Sequence, residues 1–268
     1  MFRLLLFAIF AYFFYLFFWT EGESKGTEGF EERTNKHIRI LTGEETRKII
    51  CSKRSIDNYY DSFSALDLRA RGVSSLNEYL QRIESVCLRG VCDPDKESII
   101  RRCIEKVDWT EKTRSLYWID MGRLRALPWT IALTKGKGSA YEYGLPHTRG
   151  DVIIIPESAV VDTDEFVDTL MHEQLHVYQK MYHEDFQKYL DSEGFVRHCW
   201  RRSPKDGQFQ ENFIQNVAAN PDADEWVYSK DGEIFVGQYT GGGHDYKSVT
   251  FKPINHPRYD CPQEYAVY

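Results

Sequence analysis

Residues 164–182 (DEFVDTLMHEQLHVYQKMY) constrain this chain more than any other stretch, because their pattern fits a helix with one face in a core. Val167, Leu170, Met171, Leu175 and Tyr178 recur at three- and four-residue steps, and no Gly or Pro interrupts the run. Asp162, Thr163 and Asp164 offer caps, and Glu165 and Asp168 place negative charge in the first turns, where it complements the helix dipole. Beside the apolar stripe lies His172-Glu173-Gln174-Leu175-His176. Four residues are just over one turn, so both imidazoles leave the same face. Two imidazoles at that spacing can ligate one zinc ion, and Glu173 is placed to take a proton from a water on that metal. With eight His in the chain, the pattern arises by chance in about two chains per hundred of this composition. Its weight therefore comes from the helix that carries it and the strand that precedes it.

That strand is Asp151-Val152-Ile153-Ile154-Ile155, β-branched, almost wholly apolar and ended by Pro156. Residues 143–150 before it carry the Gly and Pro punctuation of a loop, and residues 129–134 (WTIALT) read as a second strand. Residues 43–110 read as a mostly helical subdomain. Ser74-Ser75 cap one helix there, Asp93-Pro94-Asp95 opens another, and no catalytic constellation is visible. Strands followed by a polar-faced helix, after a helical region, give an α+β class.

The H-E-x-x-H motif on a helix that follows a buried strand resembles the zincin metallopeptidases. The resemblance implies a small twisted mixed sheet, an edge strand that holds the substrate backbone, and an active-site helix packed against the sheet. The residues near Val152–Ile155, or the loop before them, would present backbone groups to an extended peptide. It makes His172 and His176 zinc ligands and Glu173 the general base. A metzincin would need glycine three residues after His176 and histidine six residues after it, but Gln179 and Tyr182 stand there. A gluzincin takes a Glu from a later helix, which points to Glu264, with Pro262 as a first-turn residue; Glu193 and His198 are the alternatives. His256-Pro257, followed by Glu264 and Ala266, also resembles the distal segment of predicted metallopeptidases encoded by large DNA viruses. Zincins of this kind take an oxyanion donor from the region after the motif, for which Tyr228, His244 and His256 are candidates.

The first twenty residues are the other strong feature. No charge occurs from Leu4 to Trp19, and Arg3 precedes the run while Glu21 and Glu23 follow it. This predicts a signal anchor over residues 1–20, inserted through residues 4–20 with the N-terminus cytosolic and the rest translocated. Cleavage near Thr20-Glu21-Gly22 would instead release a secreted protein. A Gly/Glu-rich linker fills residues 21–42, and residues 111–268 form the zincin-like domain. Six Cys permit disulfides in a translocated chain, while the absence of C-x-x-C argues against a cysteine zinc cluster. The formal charge of −7 gives no reason to expect a nucleic-acid partner.

The expected function is a membrane-anchored zinc metallopeptidase acting on a polypeptide substrate. Two other classes compete with it. One is an inactive zincin-fold structural or binding protein of a membrane or virion envelope. The other is a zinc hydrolase of non-peptide substrates, because the motif fixes hydrolysis better than it fixes the substrate.

Overall fold

β-branched, nearly uninterrupted apolar sequence suits a strand buried on both faces. In the computed structural model, which describes residues 37–52, 56–57, 59–87, 93–109, 117–135, 141–199, 218–222, 226–239 and 249–255, the two such runs lie at the centre of a four-stranded mixed sheet. Its strands are Ile38–Ile40 (β1), Trp129–Thr134 (β2), His147–Arg149 (β3) and Val152–Pro156 (β4), in the order β1-β2-β4-β3. β1, β2 and β4 are parallel, and β3 folds back antiparallel on the free side of β4. The class is α+β. β1 falls inside the span read from sequence as a polar linker, yet it pairs in register with β2, Ile38 opposite Trp129. Three residues are too few to show an alternating pattern.

Each face of this sheet has its own core. Residues alternate across a strand, so Ile131, Ile153 and Ile155 enter one cluster while Ala132, Val152 and Ile154 enter the other. The second cluster is covered by Gly43–Ile50 (α1), Leu76–Cys87 (α3) and the short turn at Tyr59–Ser62, with Ala65–Ala70 (α2) beside them. α1 and α2 start in capping boxes, Thr42 with Glu45 and Ser64 with Asp67. The first cluster is covered by Pro94–Glu105 (α4), Met121–Ala126 (α5) and Asp164–Met181 (α6). Asp93 caps α4, whose first residue is Pro94. Cys103, in α4, is a buried free thiol.

α6 follows the expected stripe: Val167, Leu170, Met171, Leu175 and Tyr178 are all buried. Full burial of each of the first four contributes roughly 1.5–3 kcal/mol. His183–Ser192 (α7) follows directly and adds Phe186 and Leu190 to the same core.

Beyond α7 the chain forms a second, wholly antiparallel sheet that the sequence reading did not contain. Its strands are Val196–Cys199 (β5), Trp226–Lys230 (β6), Glu233–Tyr239 (β7) and Val249–Asn255 (β8), in sequence order. The Tyr239 hydroxyl donates to Asp67, so this sheet is tied to α2. The anchor expected over residues 4–20 lies outside the described residues. Among the described residues no helix is long and apolar enough to cross a membrane.

Candidate metal centre

The N-cap Thr163 starts α6 by accepting from the Phe166 N–H, and the helix then runs unbroken past His176. One turn separates His172 from His176, and their Nε2 atoms converge to 3.0 Å with the rings perpendicular. Two nitrogens on one tetrahedral zinc, each about 2.0–2.1 Å from the metal, would lie about 3.3 Å apart. At 3.0 Å the two imidazoles are hydrogen-bonded to each other, a few tenths of an ångström closer than two ligands of one zinc ion. Gln179, one turn on, accepts the Nδ1 proton of His176 through Oε1 at 2.9 Å. That bond fixes the tautomer and leaves Nε2 unprotonated, with its lone pair directed at His172 Nε2. Burial, with the neighbouring His176, holds the His172 imidazole down to about 3, so it stays neutral at ordinary pH.

Glu173 projects toward the sheet. Cross-strand pairs share a face, and Thr148 pairs with Ile153, which lies in the core beneath α6. Thr148 is therefore the residue of β3 that faces α6, and its hydroxyl lies 2.8 Å from Glu173 Oε2. Its neighbours point the other way. His147 packs on Tyr141, and Arg149 pairs with Asp57 and donates to Tyr141. Burial pushes the Glu173 carboxyl well above the usual carboxylate range; Asp222 reinforces this, and the Thr148 hydrogen bond and Lys180 oppose it.

β3 is an edge strand, and Thr148 turns its main-chain N–H and C=O outward. Asp222 Oδ1 accepts from that N–H at 2.7 Å. Lys180, two turns beyond Glu173 on α6, donates to the Thr148 carbonyl at 2.7 Å and to the Pro221 carbonyl at 2.8 Å. Residues 218–222 are held in turn by Ala219 N–H on Asp67 and Ala218 N–H on the Gly237 carbonyl. This short segment therefore closes over the outer rim of β3.

Of the residues expected from sequence, the structure brings His172 and His176 into contact, while Glu173 between them on α6 is bonded to Thr148. Glu193 is exposed at the end of α7, where the Tyr117 hydroxyl donates to it. His198 lies in β5, and Tyr228 lies in β6, half-buried against the main core. Glu264, His244 and His256 fall outside the described residues. Among the described residues no three His, Cys, Asp or Glu side chains group closely enough to hold a metal. The donor set thus fits two positions of a zinc site. The strand expected to present backbone groups, residues 152–155, is interior; the loop before it supplies the edge strand β3.

Sequence reasoning missed Thr148, Gln179, Lys180 and Asp222. Gln179 and Lys180 had a signal, since they lie three and four residues after His176 and so share its side of the helix. Thr148 and Asp222 had none, because only the tertiary fold brings them to Glu173. Comparison with known proteins gave no match among family models, curated proteins or solved structures.

Proposed function

We propose that this chain is a zinc-dependent metallopeptidase, anchored in a membrane through residues 4–20 with its catalytic part translocated. The observation that carries this reading is the convergence of the His172 and His176 Nε2 atoms to 3.0 Å on a helix whose next residue, Glu173, is buried beside a sheet edge. His172 and His176 would hold the ion, with Glu264 as the proposed third ligand. Bound there, zinc supplies a Lewis acid that polarises a carbonyl and brings the pKa of water to about 7.

The chain's own residues do the remaining work. Glu173 would accept a proton from the attacking water and return it to the leaving amine. A carboxyl raised above its usual range by burial is a stronger base than a solvated one and suits that task. Tyr228, His244 or His256 would face the developing oxyanion. β3 is an antiparallel edge strand beside Glu173, which suits an extended polypeptide as substrate, while the Thr148 N–H and C=O themselves are taken by Asp222 and Lys180 within the chain. A net charge of −7 gives no support for a nucleic-acid substrate.

A second reading draws on the closed rim of β3. With Asp222 and Lys180 on the Thr148 main chain, the edge is satisfied within the chain, as suits an inactive structural or binding protein of a membrane or virion envelope. Turnover of an unstructured polypeptide by the zinc-loaded full chain, beside Glu173→Gln, separates the two. The peptidase reading expects the variant to keep its zinc and lose at least about a hundredfold in kcat, the scale of general-base catalysis. Equal turnover in both proteins would refute Glu173 as the base.

A further inference from the structure

Given the peptidase reading, we propose that Thr148 is a positioning residue for Glu173: its hydroxyl holds one carboxylate oxygen and leaves the other for the substrate water. The geometry lies in three layers. Thr148 is fully buried, and its Oγ1 is 2.8 Å from Glu173 Oε2 and 3.1 Å from the Glu173 carbonyl oxygen. The hydroxyl has one proton to donate, and Oε2 is the nearer of its two acceptors. Thr148 is β-branched, so its χ1 is stiff. Its backbone is fixed from both sides, by Ile153 across the ladder and by Asp222 and Lys180 on the outer rim.

The neighbouring residues of β3 are also pinned, on the opposite face. Arg149 lies at the centre of that pinning. It makes a two-oxygen ion pair with Asp57 and lies over the rings of Tyr59 and Tyr60, 4.7 and 4.5 Å from their centroids. His147 Nδ1 donates to the Leu145 carbonyl at 2.9 Å. A Glu side chain has three rotatable bonds, and a general base must present its oxygen within about 2.6–3.2 Å of the proton it takes. A donor on a strand pinned on both faces restricts that freedom, while Lys180 donates to main-chain carbonyls and acts on the carboxyl through its charge.

The test compares Thr148→Val, which keeps the shape and removes the hydroxyl, with Thr148→Ser, which keeps the hydroxyl. Both are made in the full chain in detergent. Four quantities are read: zinc content, kcat and KM on a peptide substrate, and the carbon-13 resonance of the Glu173 carboxyl in the metal-free protein. That resonance is assigned by its disappearance in Glu173→Gln. Expected for Thr148→Val is about a tenfold or greater loss in kcat, the scale of removing a hydrogen-bond partner that orients a residue of a metal site. KM and zinc content should be unchanged and the Glu173 resonance displaced, with Thr148→Ser near wild type in all four. Unchanged kcat in Thr148→Val overturns the proposal, as does an equal loss in Thr148→Ser. Should Thr148→Val fail to fold, Thr148→Ala beside Thr148→Ser makes the same comparison. Should the wild type neither bind zinc nor turn over, the peptidase reading fails separately, and an unmoved resonance in the metal-free variant would still overturn the role of Thr148.

Discussion

Glu142 holds a full negative charge inside the protein, on the face of the sheet opposite Glu173. Burial alone would push its carboxyl up. The Arg71 guanidinium outweighs that, with Nη2 at 2.6 Å and Nε at 3.2 Å, helped by the Tyr79 hydroxyl at 2.7 Å, and the carboxyl is held at about 2. The folded value lies below the ordinary 4.5, so below pH 4.5 the unfolded chain takes up a proton that the folded chain refuses. The stabilisation is complete above pH 4.5 and is lost as pH falls toward 2. Glu142→Gln should cost about 3–5 kcal/mol at pH 7, because it leaves Arg71 buried without its main partner. It should also flatten the loss of stability between pH 4.5 and 2. Urea melts at several pH values check this, and an unchanged acid limb would refute it. Glu142 and Tyr143 both have positive φ, of 41° and 58°, a backbone cost that this buried pair helps offset. None of this was legible in sequence, where Arg71 and Glu142 lie 71 positions apart. The His pair was legible because four residues on a helix are neighbours without help from the fold.

At the scale of elements, legibility followed length and period. α6 showed a full apolar stripe, and β2 and β4 showed β-branched runs; all three lie where the sequence placed them, within a residue. β1 and β3, three residues each, are too short to carry a pattern. The second sheet did have a signal. Asp231-Gly232 joins β6 to β7 as a two-residue turn with φ of 55° and 81°, and Asp-Gly between apolar-aromatic runs is the strongest short hairpin mark. The hairpin that aims Thr148 depends on Gly150. Its φ is 56°, and an added Cβ would stand 3.4 Å from Ile56. Gly150→Ala should therefore cost about 1–2 kcal/mol, the penalty of a left-handed backbone for a residue with a side chain. A urea midpoint equal to that of the wild type would contradict this.

Taken whole, the described residues place the candidate metal centre on a helix packed on one side of a mixed sheet. The sequence expects a helical subdomain over residues 43–110. α1 and α3 do cover one face and α4 the other, and β1 before them is a strand of the sheet itself. One mixed sheet thus fixes both the strand that carries Thr148 and the helix that carries His172, Glu173 and His176. The zinc content of the full chain, purified in detergent and supplied with zinc, tests the central claim most directly when measured beside His176→Ala. About one zinc per folded chain, lost in the variant, is the expected result. A folded wild type that holds no zinc, or that holds it equally well without His176, would contradict the metal centre.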